Sequence, residues 1–529
     1  MQTKLKTQRA FKGSVLVTLL VVSFAIAVMA SFISMSNAAP DSGWTLVNDA
    51  RAMKAYPDLR EYVWQKNANM APHGQYDIIG LHRLVKPGVA SKGAIFLVPQ
   101  YFGSGEQMIS NPPSSNYTRT ENNTQAIYWA NRGYDVYAID YRTHFVPINL
   151  NRSDLGFMAD WGWDQWISDI KEAVNKAKDV SGTGKVFMAG FLQGGFIAMY
   201  YASEYWQQDL RGIIILDTPA ITIVKNQNAP NTFDLNASLN IVKSGNWSLE
   251  CANTSPSSTM YTPGSLIAWQ YAAQNPNGPA VWPPGTPLQG TPRQPPINPL
   301  TNKTWANITE YMNWQFNSTA FSPFINVIGG YGNGSDFLQW IAAMDRYLPS
   351  RLYYEMNAIA DWTNCPGVTY DFDETFKNIN VPILCFRSGL MANSYGSYIY
   401  GYATSDFTTT LLPKYGTFDV PLGTYSARDV SQPVLDWMLN RYQPPSASAF
   451  CSVTVMTGQT WYFFANSAGS NGPITYQWYE GTTILTGQNS MVLPMTKTTA
   501  GTYTYYCRVT DSEGTSANSN TITLSVINR

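Results

Sequence analysis

The segment Lys185-Val186-Phe187-Met188-Ala189-Gly190-Phe191-Leu192-Gln193-Gly194-Gly195 decides the fold. Lys185–Gly190 is a short apolar run of strand character, and Gly194–Tyr205 is a stretch with apolar residues at helical spacing. The same alternation extends outward in both directions. Upstream lie strand candidates at Ala94–Pro99 and Val136–Asp140, then a helical stretch at Asp164–Asp179. Downstream, Gly212–Asp217 is a further strand, Val381–Ser388 another, and Val430–Leu439 a closing helix. Strands alternating with helices at these lengths predict a mostly parallel sheet covered by helices, the α/β class.

The turn between strand and helix, Gly190-Phe191-Leu192-Gln193-Gly194, has the frame of the nucleophile elbow, Gly-x-Ser-x-Gly. In that frame the central residue occupies a strained turn above the sheet, and the glycines let strand and helix approach closely. On these residues the chain resembles the α/β-hydrolase family over roughly residues 75 to 440. The resemblance implies a serine at the centre, yet Leu192 stands there. It implies a histidine after the last strand, where Tyr415-Gly416-Thr417-Phe418-Asp419 offers Thr417. The family order is Ser, then Asp or Glu, then His. All three histidines, His73, His82 and His144, precede the elbow, so nothing downstream completes that order. An acid near Leu390 or Met391 is missing too, which leaves Asp217 as the alternative acid or as a simple cap.

Only the oxyanion side survives by resemblance, because it uses backbone. The loop Gln100-Tyr101-Phe102-Gly103-Ser104-Gly105 would supply one N–H near Tyr101, and the turn would supply that of Gln193. A displaced pair of Ser104 with His144, from Asp140-Tyr141-Arg142-Thr143-His144 at a strand end, is the competing catalytic reading. No CxxC or HExxH motif occurs, and neither a cofactor nor a metal site is expected.

From Ile221 to about Leu352 the alternation breaks into a region rich in Pro, Asn and Trp, expected to form a cap over the strand ends or a decorated surface loop. The hydrolase-like domain is thus placed at 44–442 with its cap at 221–352. A linker is placed at 443–449, from Gln443-Pro444-Pro445, with an all-β domain at 450–529. That last segment resembles an immunoglobulin-like sandwich, with Trp478 as core tryptophan and Tyr503 as the tyrosine-corner residue. The inter-sheet cysteine pair of that family is absent: Phe464 falls near the first position and Tyr505 near the second.

The first thirty-eight residues read as a signal peptide or an uncleaved anchor. Lys4, Lys6, Arg9 and Lys12 precede an apolar run from Val15 to Ile33, and small residues follow at Ser36 and Ala38. An extracellular or cell-surface location would explain other features. Charged residues make up 13% of the chain, against roughly 25% on average. Ten Asn-x-Ser/Thr sites, at Asn116, Asn122, Asn151, Asn236, Asn246, Asn253, Asn302, Asn307, Asn317 and Asn333, are glycosylation candidates. Five cysteines suggest disulfides, with Cys251–Cys365 pinning the cap and Cys451–Cys507 within the sandwich. A net charge of −1 without a basic face gives no reason to expect nucleic acid, and a membrane would be met only through an uncleaved N-terminal segment. The sequence therefore predicts a non-catalytic binding, adhesion or envelope-structural protein, with an apolar small ligand or a cell-surface protein or glycan as partner. An active secreted esterase or amidase with a non-standard site is the alternative.

Overall fold

In a computed structural model, nine strands form one sheet whose central members are buried on both faces. The structure describes residues 43–218 apart from 71–73, 110–118, 148–149 and 151. It also describes 235–248, 331–361 apart from 333, 378–389, 406–469 and 472–528, with a few isolated residues at 273–307 and at 404. In chain order the strands are β1 (Thr45–Ala52), β2 (Arg60–Asn67), β3 (Ile78–Val85), β4 (Ala94–Val98), β5 (Asp135–Asp140), β6 (Val186–Phe191), β7 (Leu210–Leu216), β8 (Ile383–Ser388) and β9 (Phe407–Leu412). Their spatial order is β1-β2-β3-β5-β4-β6-β7-β8-β9. Strands β1 to β3 form an antiparallel meander joined antiparallel to β5, and every pairing from β5 to β9 is parallel.

Strands β4, β5, β6 and β7 are buried along their whole length, as a sheet with both faces covered requires. The helix Trp163–Ser181 buries Trp166, Ile167, Ile170, Ala173, Val174 and Ala177, at three- and four-residue spacing. It ends on Gly182 in the left-handed conformation, φ 63°. The helix Gln193–Asp209 follows β6, and Gln432–Arg441 closes the domain.

Within or just beyond the expected cap, three helices are described: Leu235–Lys243, Gly334–Ala342 and Ser350–Asp361. Tyr347 from this region packs with Val146, Leu155, Met158 and Trp161 of the main domain. Cys251 and Cys365 lie outside the described residues, as do the expected N-terminal leader and Asn116, Asn151, Asn253, Asn302, Asn317 and Asn333. Asn236 sits in the helix Leu235–Lys243, and Asn122 is exposed. Asn246 and Asn307 are half-buried, and Ser248, the hydroxyl residue of the Asn246 site, is fully buried.

The C-terminal domain is a β-sandwich. One sheet holds β10 (Ser446–Phe450), β12 (Thr460–Ala468) and β15 (Val492–Thr496), with β12 in the middle. The other holds β11 (Val453–Met456), β13 (Thr475–Glu480), β14 (Thr483–Ile484), β16 (Gly501–Thr510), β17 (Ser516–Asn518) and β18 (Ile522–Ile527). Trp478 is fully buried and donates from Nε1 to the Ser490 carbonyl at 2.9 Å. The Tyr503 hydroxyl donates to the Thr499 carbonyl at 3.0 Å, the hydrogen bond of a tyrosine corner.

Three expectations need correction here. The residue facing Tyr505 across the core is Phe463, with ring centroids 5.4 Å apart, while Phe464 points outward and is 48% exposed. Cys451 and Cys507 are not bridged: Cys507 is buried in the core, whereas Cys451 follows β10 at φ 73° and is exposed. The segment expected as a linker is already strand from Ser446.

A buried joint ties the two domains together. Arg211, at the start of β7, bonds Glu513 and donates from Nη2 to Thr183 Oγ1 at 2.8 Å and Thr515 Oγ1 at 2.7 Å. Its guanidinium lies 3.4 Å from the Tyr442 ring centroid, and the Tyr442 hydroxyl donates to Asp511 at 3.0 Å. Beside the joint is a polar cleft of about 550 Å³, lined by Lys178, Thr183, Arg508 and Ser516 among others. The cleft lies where β6 begins. The elbow is where that strand ends.

Candidate functional site

The elbow has its strained geometry without its nucleophile. Leu192 sits between β6 and the following helix at φ 49°, ψ −126°, a conformation that glycine adopts freely and leucine does not. Holding a leucine there costs on the order of 1–3 kcal/mol. The surrounding backbone leaves little choice. A Cβ on Gly190 would collide with the Gly194 carbonyl, one on Gly194 with the Val98 carbonyl, and one on Gly195 with the Thr218 hydroxyl. The glycine spacing in the sequence is therefore the imprint of close backbone approach.

Asp217 directly follows β7, at φ 49°, and is buried. The Ser388 N–H donates to its Oδ1 at 2.6 Å and the Ser388 hydroxyl to its Oδ2 at 2.8 Å. Burial pushes the Asp217 carboxyl above the usual range, while the two bonds from Ser388 hold the rise back. Thr417 is buried beside Asp217, and its Oγ1 has no hydrogen-bond partner among the described residues. Asp217 and Thr417, the positions expected for the acid and the base, thus lie close together. Leu390 and Met391 lie outside the described residues.

Aromatic side chains join the elbow to the base loop. Phe191, next to Leu192, packs against Phe418, next to Thr417, at 5.5 Å between centroids. Phe337 and Trp340, from the helix Gly334–Ala342, close over Phe418 at 4.6 and 5.1 Å, and Trp340 also meets Phe191 at 5.6 Å. All four rings are buried. The oxyanion loop is pinned by the same region. The Phe102 carbonyl accepts the Asp345 N–H at 2.6 Å, and Gln107 Nε2 donates to the Trp340 carbonyl at 2.8 Å. The Tyr101 hydroxyl contacts Met356 Sδ. The backbone N–H groups of Tyr101 and Gln193 meet no acceptor among the described residues.

The serine aminopeptidase S33 family model matches residues 117–258, the segment carrying β5, β6, the elbow and β7. Among solved structures, a candidate lipase from Sulfolobus solfataricus superposes with a TM-score of 0.57 at 28% identity, covering 76% of this chain and 100% of that one. The chain has the α/β-hydrolase fold. Carboxylesterase CesB from Bacillus subtilis (11% identity, TM-score 0.33, 68% of this chain and 87% of that one) is a much fainter likeness. So is the enol-lactonase from Burkholderia xenovorans (11%, 0.35, 68% and 96%). No curated protein matches the chain.

Set in the α/β-hydrolase fold, the alternative pair Ser104 and His144 is not joined. Ser104 is fully buried, and its Oγ accepts the Gln107 N–H at 3.1 Å, capping the short helix Gly105–Ile109. His144 donates from Nδ1 to Asp345 Oδ1 at 2.9 Å. Burial works against its charge, but Asp140 and Asp345 outweigh that and push its pKa up to about 10. At neutral pH it is an imidazolium and cannot take a proton from a nucleophile.

The sequence reading missed the buried partners of the histidines. His82 lies between two carboxylates, with Nδ1 2.7 Å from Glu61 Oε1 and Nε2 2.8 Å from Asp140 Oδ2. Both ring nitrogens are occupied by carboxylates. Asp345 carries no motif that could announce it. Among the described residues no group of three or more side chains has the arrangement of a metal site.

Proposed function

We propose that this protein is a non-catalytic α/β-hydrolase-fold protein of the cell exterior, acting in binding, adhesion or envelope structure, with the C-terminal sandwich as its interaction unit. The observation that carries the reading is Leu192 at the elbow together with Thr417 against Asp217. A serine hydrolase of this fold needs a hydroxyl at the first position and an imidazole at the second. Losing either costs on the order of a millionfold in this kind of chemistry. The oxyanion donors remain, but without an attacking group they stabilise no intermediate. The packed rings of Phe191, Phe337, Trp340 and Phe418 favour a filled, structural centre beside the elbow. The apolar leader sequence and the low charged fraction support export.

The competing reading is an esterase working through an unorthodox site, and the likeness to a candidate lipase is what favours it. Short-chain activated esters separate the two. The proposal expects no turnover above a heat-denatured control. Saturable hydrolysis abolished by His144→Ala or Ser104→Ala would establish the esterase instead.

A further inference from the structure

We infer that the cleft between the helix Trp163–Ser181 and the sandwich strands β16 and β17 is a binding site for a neutral oligosaccharide. The inference rests on the reading of the sandwich as an interaction unit and gives that unit a ligand. The cleft holds about 550 Å³, within the roughly 300–1,000 Å³ of small-molecule sites. One wall is the end of the helix and the turn after it, with Lys178, Asp179 and Thr183. The other is the sandwich, with Arg508, Ser516 and Asn518. One serine and three glycines complete the lining, so no aliphatic or aromatic side chain contributes to it. The walls are fixed relative to each other. Arg211 Nη2 bonds Thr183 and Thr515, each next to or within the lining. A Cβ on Gly184 would overlap the Glu513 carbonyl, so the two backbones touch beside the cleft. A site assembled before its ligand arrives loses less freedom on binding.

The groups left open in the lining identify the ligand. Arg508 is held in place: its Nε donates to Asn518 Oδ1 at 3.0 Å, and its guanidinium lies 5.3 Å from the Tyr479 ring centroid. Its two Nη groups and Asn518 Nδ2 meet no acceptor among the described residues, and the Asp179 carboxylate meets no donor there. Lys178 is already taken, by Asp209 Oδ1 at 2.8 Å and the Gln208 carbonyl at 3.2 Å. One open cation and one open anion cancel, so the cleft has no pull on a polyanion or a polycation. An apolar ligand finds nothing to pack against. Donors and acceptors side by side without net charge match hydroxyl groups, each of which both donates and accepts. A chain of sugars presents such groups in series. The surface beyond Arg508 extends the site past a single sugar. Tyr506 lies two residues from Arg508 on the same face of β16, about 7 Å away. It is paired with Tyr479, the rings stacked at 4.7 Å and 2°. Both are half-buried and form an apolar step against which the C–H groups of a second sugar unit can rest.

Saturation-transfer NMR of the full chain against a panel of neutral oligosaccharides is the test, the panel holding oligomers of glucose, mannose, galactose, xylose and N-acetylglucosamine. At least one should bind saturably, with the same affinity at about 0.05 and 0.5 M sodium chloride, because no net charge is engaged. Arg508→Ala and Asn518→Ala should each weaken binding about tenfold or more. Ser516→Trp should abolish it by filling the cleft. All three positions are exposed, so circular dichroism and the melting curve should stay unchanged. Tyr462→Ala, exposed on the other sheet of the sandwich, should bind like the parent protein. A panel without a binder contradicts the inference. So does binding that survives all three cleft variants, which would place recognition elsewhere on the chain. Binding that falls with salt and is displaced by inorganic sulfate would make this an anion site and overturn the assignment to a neutral sugar. Ester turnover would overturn the proposed lack of catalysis without touching these results, and failure to bind sugar would leave the elbow reading intact.

Discussion

Ser388 holds Asp217 by both carboxylate oxygens, with its N–H on Oδ1 at 2.6 Å and its hydroxyl on Oδ2 at 2.8 Å. The carboxylate is therefore oriented although no histidine is present to use it. Thr417 lies beside this carboxylate and, on the proposed reading, stands at the base position.

Rebuilding the two lost groups should recover slow chemistry. Leu192→Ser combined with Thr417→His should show fluorophosphonate labelling at residue 192 and measurable ester turnover, with Asp217 as the acid. Each single variant should remain at background, because nucleophile and base act as a unit. A folded double variant without labelling would mean that the loss extends beyond these two positions.

The elbow glycines should be intolerant for a backbone reason. Gly194→Ala places a methyl group against the Val98 carbonyl, which cannot rotate away. The expected loss is at least about 1–3 kcal/mol, as for other overpacked sites. Urea unfolding measures it directly, and an unchanged midpoint would contradict the close approach described.

The sequence made the elbow legible because its glycines are forced by backbone contact, whatever stands between them. The sandwich was legible through Trp478 and Tyr503. The facing of Phe464 was not, because Trp461-Tyr462-Phe463-Phe464 is aromatic at four consecutive positions and a two-residue period cannot say which of them turn inward. Strands β1 to β3 were hidden by charge. In β2, Glu61 is buried and pairs with Arg51 and His82, and the largely buried Lys66 pairs with Glu172, so the apolar alternation is interrupted by residues whose partners are distant in sequence. Asp345 escaped for the same reason. Its meaning lies in the backbone and side-chain bonds it makes to Phe102 and His144, some two hundred residues away or more.

The buried His82 cluster predicts an alkaline limit. Burial alone would lower the His82 pKa, but Asp140 and Glu61 overcome it and push it up to about 10, above the ordinary value of 6.5. A group whose pKa rises on folding stabilises fully below its unfolded value, and that contribution disappears as pH climbs toward the folded one. Stability should therefore decline between about pH 6.5 and 10. His82→Gln should cost roughly 3–5 kcal/mol at pH 6, because Asp140 and Glu61 both lose a buried cationic partner, Glu61 retaining Arg51. The gap from the parent protein should narrow as pH approaches 10. On the acid side the sign reverses. Burial opposes ionisation of Glu61, yet His82 and Arg51 lower its pKa, so its contribution is lost as pH falls below the ordinary carboxylate range. Denaturation curves at pH 4, 6, 8 and 10 check both limbs.

Arg211 should control coupling between the domains. Arg211→Ala removes the bonds to Thr183, Glu513 and Thr515 and the stacking on Tyr442. Calorimetry should then resolve two transitions where the parent protein shows one, and limited proteolysis should cut near residues 443–445. A single transition with unchanged protease resistance would place the coupling elsewhere.

A non-catalytic protein of this fold should have no activated nucleophile in its intact state. Natively produced chain, treated with a fluorophosphonate probe and analysed by intact mass and peptide mapping, should carry no adduct, while a serine hydrolase in the same tube is labelled completely. A stoichiometric adduct on any serine, prevented by prior denaturation, would contradict the central claim and make this an enzyme.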